Sequence, residues 1–206
     1  MLQTLAKGGP VMIPLGICSV LALAIFLERI WYYWRTRSDS NAVMASLREP
    51  LTQGNYLEAL QIAKQAPGPY AGLLSAGVAY ADKGREQMQA QLEVAAQAEI
   101  QRMERGLGIL GTITTIAPLL GLLGTVTGII RSFHVLAGLQ GIESPAALSA
   151  GIAEALITTA AGLTIAIPSA AVFDWFNAIV NRRVQDMHRA GNMVMEVVSE
   201  HRGEEQ

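Results

Sequence analysis

Three long stretches of this 206-residue chain carry no charged side chain, and they cover residues 8–27, 106–130 and 155–173. An α-helix rises about 1.5 Å per residue, so about 20 apolar residues cross the roughly 30 Å of hydrocarbon in a bilayer. Each stretch reaches or nearly reaches that length, and the third becomes comfortably long when Glu154 is included. The sequence therefore predicts an all-α, polytopic membrane protein with three transmembrane helices.

The remaining composition argues against several classes of function. A net charge of −2 argues against a nucleic-acid binder. The single cysteine, Cys18, lies in the first stretch, so the chain can form neither an internal disulfide nor a cysteine-based metal cluster. The sequence contains no catalytic triad, phosphate-binding loop or paired acid–base carboxylates in a plausible setting. We predict no enzyme activity, no catalytic residue, no metal site and no cofactor.

The distribution of arginine indicates the orientation of the helices, because positively charged flanks stay on the cytoplasmic side. Arginines follow the first stretch, precede the second and follow the third, whereas Lys7 and Arg131 lie at the opposite ends. An aromatic belt at residues 31–34 is typical of the interface at the inner end of the first helix. We predict a periplasmic N-terminus and a cytoplasmic C-terminus.

These assignments divide the chain into six segments. We predict an outer N-terminus with transmembrane helix 1, a cytoplasmic helical segment, transmembrane helix 2, a short periplasmic loop, transmembrane helix 3, and a cytoplasmic C-terminal helix or tail. In the same order, they cover residues 1–35, 36–105, 106–135, 136–144, 145–178 and 179–206.

The cytoplasmic segment is predicted to be helical, with one short helix capped by Asn41 and ended by Pro50, and another capped by Asn55. Residues 70–81 are apolar but too short to span, which indicates a packed helix. A long helix begins after Gly84, and its apolar residues recur at three- and four-residue steps as a packing stripe. Because no helix breaker separates it from the second stretch, we expect one uninterrupted helix.

Small residues line one face of each of the last two transmembrane helices. In helix 2 they recur at steps of three and four residues, and two glycines four apart form a GxxxG pattern for close helix approach. Helix 3 carries a similar stripe. Five glycines are predicted to pack the helices: Gly121, Gly124, Gly128, Gly151 and Gly162. The same faces could instead line a narrow pore, and the sequence leaves both arrangements open.

Glu154 is the acidic residue that lies deep in these helices. Ser144 and Pro145 form a strong helix start, and counting from there places Glu154 about nine residues, or ~14 Å, into helix 3. A carboxylate at such depth costs about 2.5–3.5 kcal/mol on insertion scales and usually faces a bundle interior or a wet cavity. We predict that Glu154, with Thr158 beside it, belongs to an ion or proton pathway. A fixed hydrogen bond in a passive scaffold is the alternative.

Pro118 and Pro168 interrupt helices 2 and 3. A proline removes a backbone hydrogen bond and bends the helix, and neighbouring groups or water must satisfy the freed carbonyl in a membrane. We predict a hinge at each proline, with a static kink as the alternative.

Two segments carry extended patterns. One is Ala117-Pro-Leu-Leu-Gly-Leu-Leu-Gly-Thr125-Val-Thr-Gly128, with Phe133 after it. The other is Gly151-Ile-Ala-Glu-Ala-Leu-Ile-Thr-Thr-Ala-Ala-Gly-Leu-Thr-Ile-Ala-Ile-Pro168. They resemble the second- and third-span patterns of the MotA/TolQ/ExbB proton-channel family. Three spans and a long insert after the first are more similar to ExbB and TolQ than to the four-span MotA, and most similar to ExbB.

The resemblance implies a homopentamer in the bacterial inner membrane, with a central pore that holds an ExbD-like single-span partner bearing a membrane aspartate. It also implies that Thr125, Glu154 and Thr159 face this partner. Such a complex uses proton-motive force to energise a TonB-like transducer for outer-membrane transport. A TolQ-like role in envelope maintenance and a non-conducting scaffold stay open as alternatives. A solute transporter is disfavoured, because the three spans show no internal repeat.

Overall fold

The computed structural model of the protein describes residues 9–37, 40–138 and 145–204. Over these residues the regular structure is helical, without a strand, and it forms seven helices: α1 Met12–Arg35, α2 Ser40–Thr52, α3 Tyr56–Gln65, α4 Tyr70–Ala79, α5 Arg85–Glu104, α6 Leu107–Gly138 and α7 Pro145–Glu204. The predicted all-α class is confirmed. Three segments are long and apolar enough to cross a membrane, as predicted: Met12–Arg35, Leu107–His134 and Ser149–His201.

The helices are divided between two compact units. Of the described residues, the first unit comprises 9–28, 106–138 and 145–176, and the second comprises 29–37, 40–105 and 177–204. Helices α1 and α7 therefore contribute residues to both units.

The first unit has a small core made by α1, α6 and α7. Leu15, Ile113, Ala117 and Ala166 are buried together, and the half-buried Cys18 packs against them. Many large apolar side chains of the same helices are exposed in the isolated chain, among them Ile13, Val20, Leu23, Leu119, Leu122, Leu156 and Ile167. An apolar surface of this extent fits a lipid environment or contact with other membrane helices.

The second unit is packed around α4. Residues Tyr70, Leu73, Leu74 and Val78 of this helix are buried, so residues 70–79 form the packed, non-spanning helix that was predicted. At Gly77 a β-carbon would lie 2.9 Å from Leu92 of α5 and 3.4 Å from Val194 of α7. The glycine therefore lets α4 approach both helices closely.

Two side chains of α1 satisfy carbonyls at the end of α5. The Tyr33 hydroxyl donates to the Met103 carbonyl oxygen at 2.7 Å. Arg29, which is 2% exposed, donates to the carbonyl oxygens of Arg102 and Met103 at 3.1 and 3.3 Å. The last carbonyls of a helix have no partner within it, so these bonds satisfy groups that would otherwise be unpaired. Arg183 of α7 then donates to the Tyr33 carbonyl oxygen at 3.1 Å.

The prediction of one uninterrupted helix from Gly84 into helix 2 was wrong. Helix α5 ends at Glu104 and α6 begins at Leu107. Between them Gly106 adopts a φ of +79°, a left-handed conformation that glycine enters without a steric penalty. The sequence signal for this break was a glycine directly after two charged residues, with no proline nearby.

The prediction for the first short helix was also wrong at both ends. Helix α2 begins at Ser40, so Asn41 lies inside it, and Pro50 lies inside its last turn instead of ending it. The helix continues to Thr52, and Pro50 leaves one backbone hydrogen bond of the last turn unmade. The Asn55 cap was predicted correctly, since its side chain accepts from the Glu58 amide at 3.3 Å. Helix α7 begins at Pro145, as expected.

Gly106→Ala is expected to destabilise the protein by about 1 kcal/mol or more, because alanine disfavours the left-handed backbone at this position. Thermal unfolding of the detergent-solubilised protein measures the effect. Gly108→Ala is the matched control, since a β-carbon there meets no atom within 4 Å and alanine favours a helix. Equal midpoints for the two variants would contradict the left-handed turn.

Candidate functional site

Helices α6 and α7 approach each other at backbone distance in the first unit. A β-carbon placed on Gly162 would lie 2.6 Å from the Ala117 carbonyl oxygen and 3.1 Å from the Gly121 α-carbon. One on Gly121 would lie 3.1 Å from the Thr159 α-carbon. Because these contacts are with backbone atoms, no side-chain rotation can relieve them. Gly121 and Gly162 therefore set the distance between the two helices.

The other three predicted packing glycines lie along the same crossing. A β-carbon on Gly124 would overlap the Thr158 side chain, and one on Gly151 would overlap the Ser132 hydroxyl. A β-carbon on Gly128 would lie 2.8 Å from Ala155 Cβ. All five glycines thus lie where α6 and α7 meet.

The predicted threonines occupy three different settings. Thr158 is 1% exposed and its hydroxyl donates to the Glu154 carbonyl oxygen at 3.0 Å. Thr159 donates across the helix crossing to the Gly121 carbonyl oxygen at 2.8 Å. The half-exposed Thr125 donates to the Leu122 carbonyl oxygen of its own helix at 2.7 Å. Within the protomer, the structure brings Thr158 and Thr159 into the α6–α7 contact.

Glu154 forms an ion pair that joins the same two helices. Its Oε1 lies 3.2 Å from Nη1 of Arg131, and the Glu154 side chain remains 27% exposed. A β-carbon on Gly9, just before α1, would overlap this oxygen. From the sequence, Arg131 was predicted at the outer end of helix 2 and Glu154 about 14 Å into helix 3. The pair was missed because these predicted depths differ.

Pro118 and Pro168 both lie inside continuous helices, α6 and α7. Each is four residues after a threonine, so the missing amide would have bonded the carbonyl of Thr114 or Thr164. Pro168 also borders a cavity of about 320 Å³ lined in part by Ser19, Phe26 and Ser169. Whether either proline acts as a hinge stays a prediction.

The site lies inside a region shared with known proteins. Residues 65–189, more than half of the chain, match the MotA/TolQ/ExbB proton channel family. The chain belongs to this family. The predicted family is therefore confirmed, and the protein is a multi-pass membrane protein of a proton-channel family.

Relatives of this chain include proteins named ExbB and TolQ. A Synechocystis sp. protein named ExbB-like 1 is 40% identical over 177 residues, which are 84% of this chain and 69% of that protein. An ExbB homolog of Methanothermobacter thermautotrophicus is 30% identical over 81% of this chain and 59% of its own length. The TolQ protein of the Tol-Pal system in Pseudomonas aeruginosa is 34% identical over 76% of this chain and 65% of its own length.

Gly162→Ala is expected to lower the stability of the protein by about 1–3 kcal/mol, because the added methyl group meets α6 backbone atoms. Chemical unfolding in detergent, followed by circular dichroism, measures the loss. Gly16→Ala is the control, since its β-carbon would meet nothing within 4 Å. If Gly162→Ala were as stable as this control, α6 and α7 would have to be farther apart than described.

Proposed function

We propose that this protein is the channel subunit of a proton-driven motor in a bacterial inner membrane, with an ExbB-like role. The observation that carries the proposal is Glu154, an ionisable group within a candidate span, at the glycine-packed crossing of α6 and α7. An ionisable residue at such a position usually belongs to an ion or proton pathway. Its location inside the region matched to a proton-channel family supports the same function.

In this proposal Thr125, Glu154, Thr158 and Thr159 serve the proton pathway. Thr125 and Glu154 retain partly exposed side chains through which a partner could be reached. Thr159, bonded to Gly121, fixes the helix crossing beside the carboxylate. Thr158 is buried against Gly124, so its contribution is to hold Glu154's helix in place. Pro118 and Pro168 are the proposed joints of the two helices.

A second subunit is part of the proposal. No acidic residue other than Glu154 is predicted deep in a span. Glu154 is therefore the acid that this chain brings to the membrane interior. One carboxylate per protomer makes an incomplete relay, which favours an ExbD-like single-span partner with a membrane aspartate. A homopentamer around that partner would cover part of the exposed apolar surface of the spans, and the lipid bilayer would cover the rest.

The energy available is suited to moving one subunit against another. One elementary charge that crosses 100 mV releases about 2.3 kcal/mol. This is enough to bias a conformational step.

We place the N-terminus in the periplasm and the C-terminus in the cytoplasm, because the arginine-rich flanks of the spans then lie inside.

The driven partner distinguishes two roles. The relatives named ExbB favour a TonB-like transducer and outer-membrane transport. The TolQ relative, at 34% identity, favours envelope maintenance as the second candidate. Complementation of host strains lacking either system separates them: restored receptor-dependent uptake supports the first role, and restored resistance to detergent supports the second.

Glu154→Gln is expected to reduce partner-dependent proton flux by at least tenfold, because the carboxylate that takes up the proton is lost. Flux is measured in liposomes that contain the protein and its single-span partner. Thr159→Ala should also reduce flux, and Thr159→Ser should restore it, since the hydroxyl bond to Gly121 returns.

Thr112→Ala is the control, because the Thr112 hydroxyl bonds only the carbonyl of Gly108 in its own helix among the bonds described. Its flux should equal that of the unmodified protein. Normal flux and normal energisation in Glu154→Gln, with assembly intact, would support the scaffold instead of the channel.

A further inference from the structure

Three separate elements meet at the Glu154 carboxylate. Arg131 reaches it from α6, Gly9 lies against it from the segment before α1, and Glu154 itself belongs to α7. A proton pathway requires only that a proton can reach Glu154. The contacts with Arg131 and with the backbone at Gly9 are additional features of the site.

The ion pair lies beside close helix contacts near one end of the crossing. Gly128 lies against Ala155, which follows Glu154, and Ser132, which follows Arg131, lies against Gly151. These contacts hold the two backbones close at the level of the charged pair. A guanidinium and a carboxylate are each costly inside a membrane, and pairing offsets much of that cost. The pair therefore joins α6 and α7 at Glu154.

Gly9 covers the carboxylate from the N-terminal side. Its φ of +68° is a left-handed conformation, and its carbonyl oxygen accepts from the Met12 amide at 3.1 Å, which starts α1. A β-carbon on Gly9 would overlap Glu154 Oε1, so a larger residue here would push the carboxylate aside. The start of α1 and the carboxylate are thus in direct contact.

We propose that Arg131 and Gly9 form a latch on Glu154 that controls when the carboxylate can take up a proton. In the closed latch, Arg131 neutralises the carboxylate and Gly9 shields it. A proton that binds Glu154 removes its charge, so the ion pair opens while the guanidinium keeps its own proton and turns to the interface. This inference rests on the proposed function, because the latch regulates the same proton pathway.

Each element packed against Glu154 has its own nearest ionisable residue along the chain. From α6 these are Arg131 and, one helical turn later, His134. From α7 the next ionisable residue is Asp174, twenty positions further along the chain. Before α1 the nearest is Lys7, which lies outside the described residues. Arg131 is the group in contact, so its removal should change the reactivity of Glu154 the most.

A hydrophobic carbodiimide tests the latch directly, because it modifies carboxyl groups that are protonated in an apolar setting. The full-length protein in liposomes is treated across a range of pH, and modification of the Glu154 peptide is measured by mass spectrometry. In Arg131→Gln, modification at neutral pH should be about tenfold faster or more, since the guanidinium that holds the carboxylate is gone. Arg131→Lys should return the rate toward that of the unmodified protein.

Two controls fix the interpretation. Glu154→Gln identifies the modified peptide, and Arg182→Gln removes one exposed positive charge of α7 elsewhere and should leave the rate unchanged. If Arg131→Gln reacts within twofold of the unmodified protein at every pH, the latch is wrong. If the Arg131→Gln variant does not insert into the membrane, the Arg131→Met variant is used in its place, because methionine is unbranched and apolar.

Gly9→Ala tests the covering segment independently. The added methyl group displaces the carboxylate, so modification of Glu154 should be at least threefold faster than in Gly16→Ala, whose β-carbon has open space. Equal rates in these two variants would overturn the part played by Gly9. None of these rates requires the partner or proton flux. Absence of partner-dependent flux in the unmodified protein would therefore overturn the proposed function without affecting the latch.

Discussion

The backbone contact between Gly121 and Gly162 is the interaction on which the site depends. In a membrane, apolar side chains gain nothing by leaving lipid for protein, so helices associate through close packing and hydrogen bonds between them. Here the contact brings the Thr159 hydroxyl within reach of the Gly121 carbonyl oxygen. It also brings Arg131 and Glu154 together near the other end of the crossing. Small residues thus determine where the charged ones lie.

Several polar groups of this apolar chain are satisfied by carbonyls or by nearby charged groups. Several hydroxyls in the spans donate to carbonyls one turn earlier in their own helix, as those of Thr127 and Ser169 do, whereas the Thr159 hydroxyl donates across the crossing. The buried guanidinium of Arg29 donates hydrogen bonds to the carbonyl oxygens of Arg102 and Met103 at the end of α5. Buried Glu99 pairs with Arg102 at 2.6 Å within the same helix, and Gly72 of α4 leaves room for it. Each arrangement avoids an unpaired group in a setting where it would be costly.

Sequence patterns predicted the features that depend on local composition. The three spans follow from uncharged length, the start of α7 from Pro145, and the cap of α3 from Asn55. The break at Gly106 was missed because glycine is compatible with a helix, and only the backbone angle shows which role it has taken. The Glu154–Arg131 pair was missed because it joins residues 23 positions apart on different helices. Its geometry depends on the helix crossing, which spacing alone does not give.

Cys18 is the only cysteine in the sequence, and it is half-buried against the small core of the first unit. One substitution at this position therefore yields a thiol-free background. Alanine is the suitable replacement, because the residues around Cys18 in that core are themselves small or aliphatic. Fluorophores or spin labels can then be attached at single chosen positions, so that distances within the membrane helices can be followed during energisation.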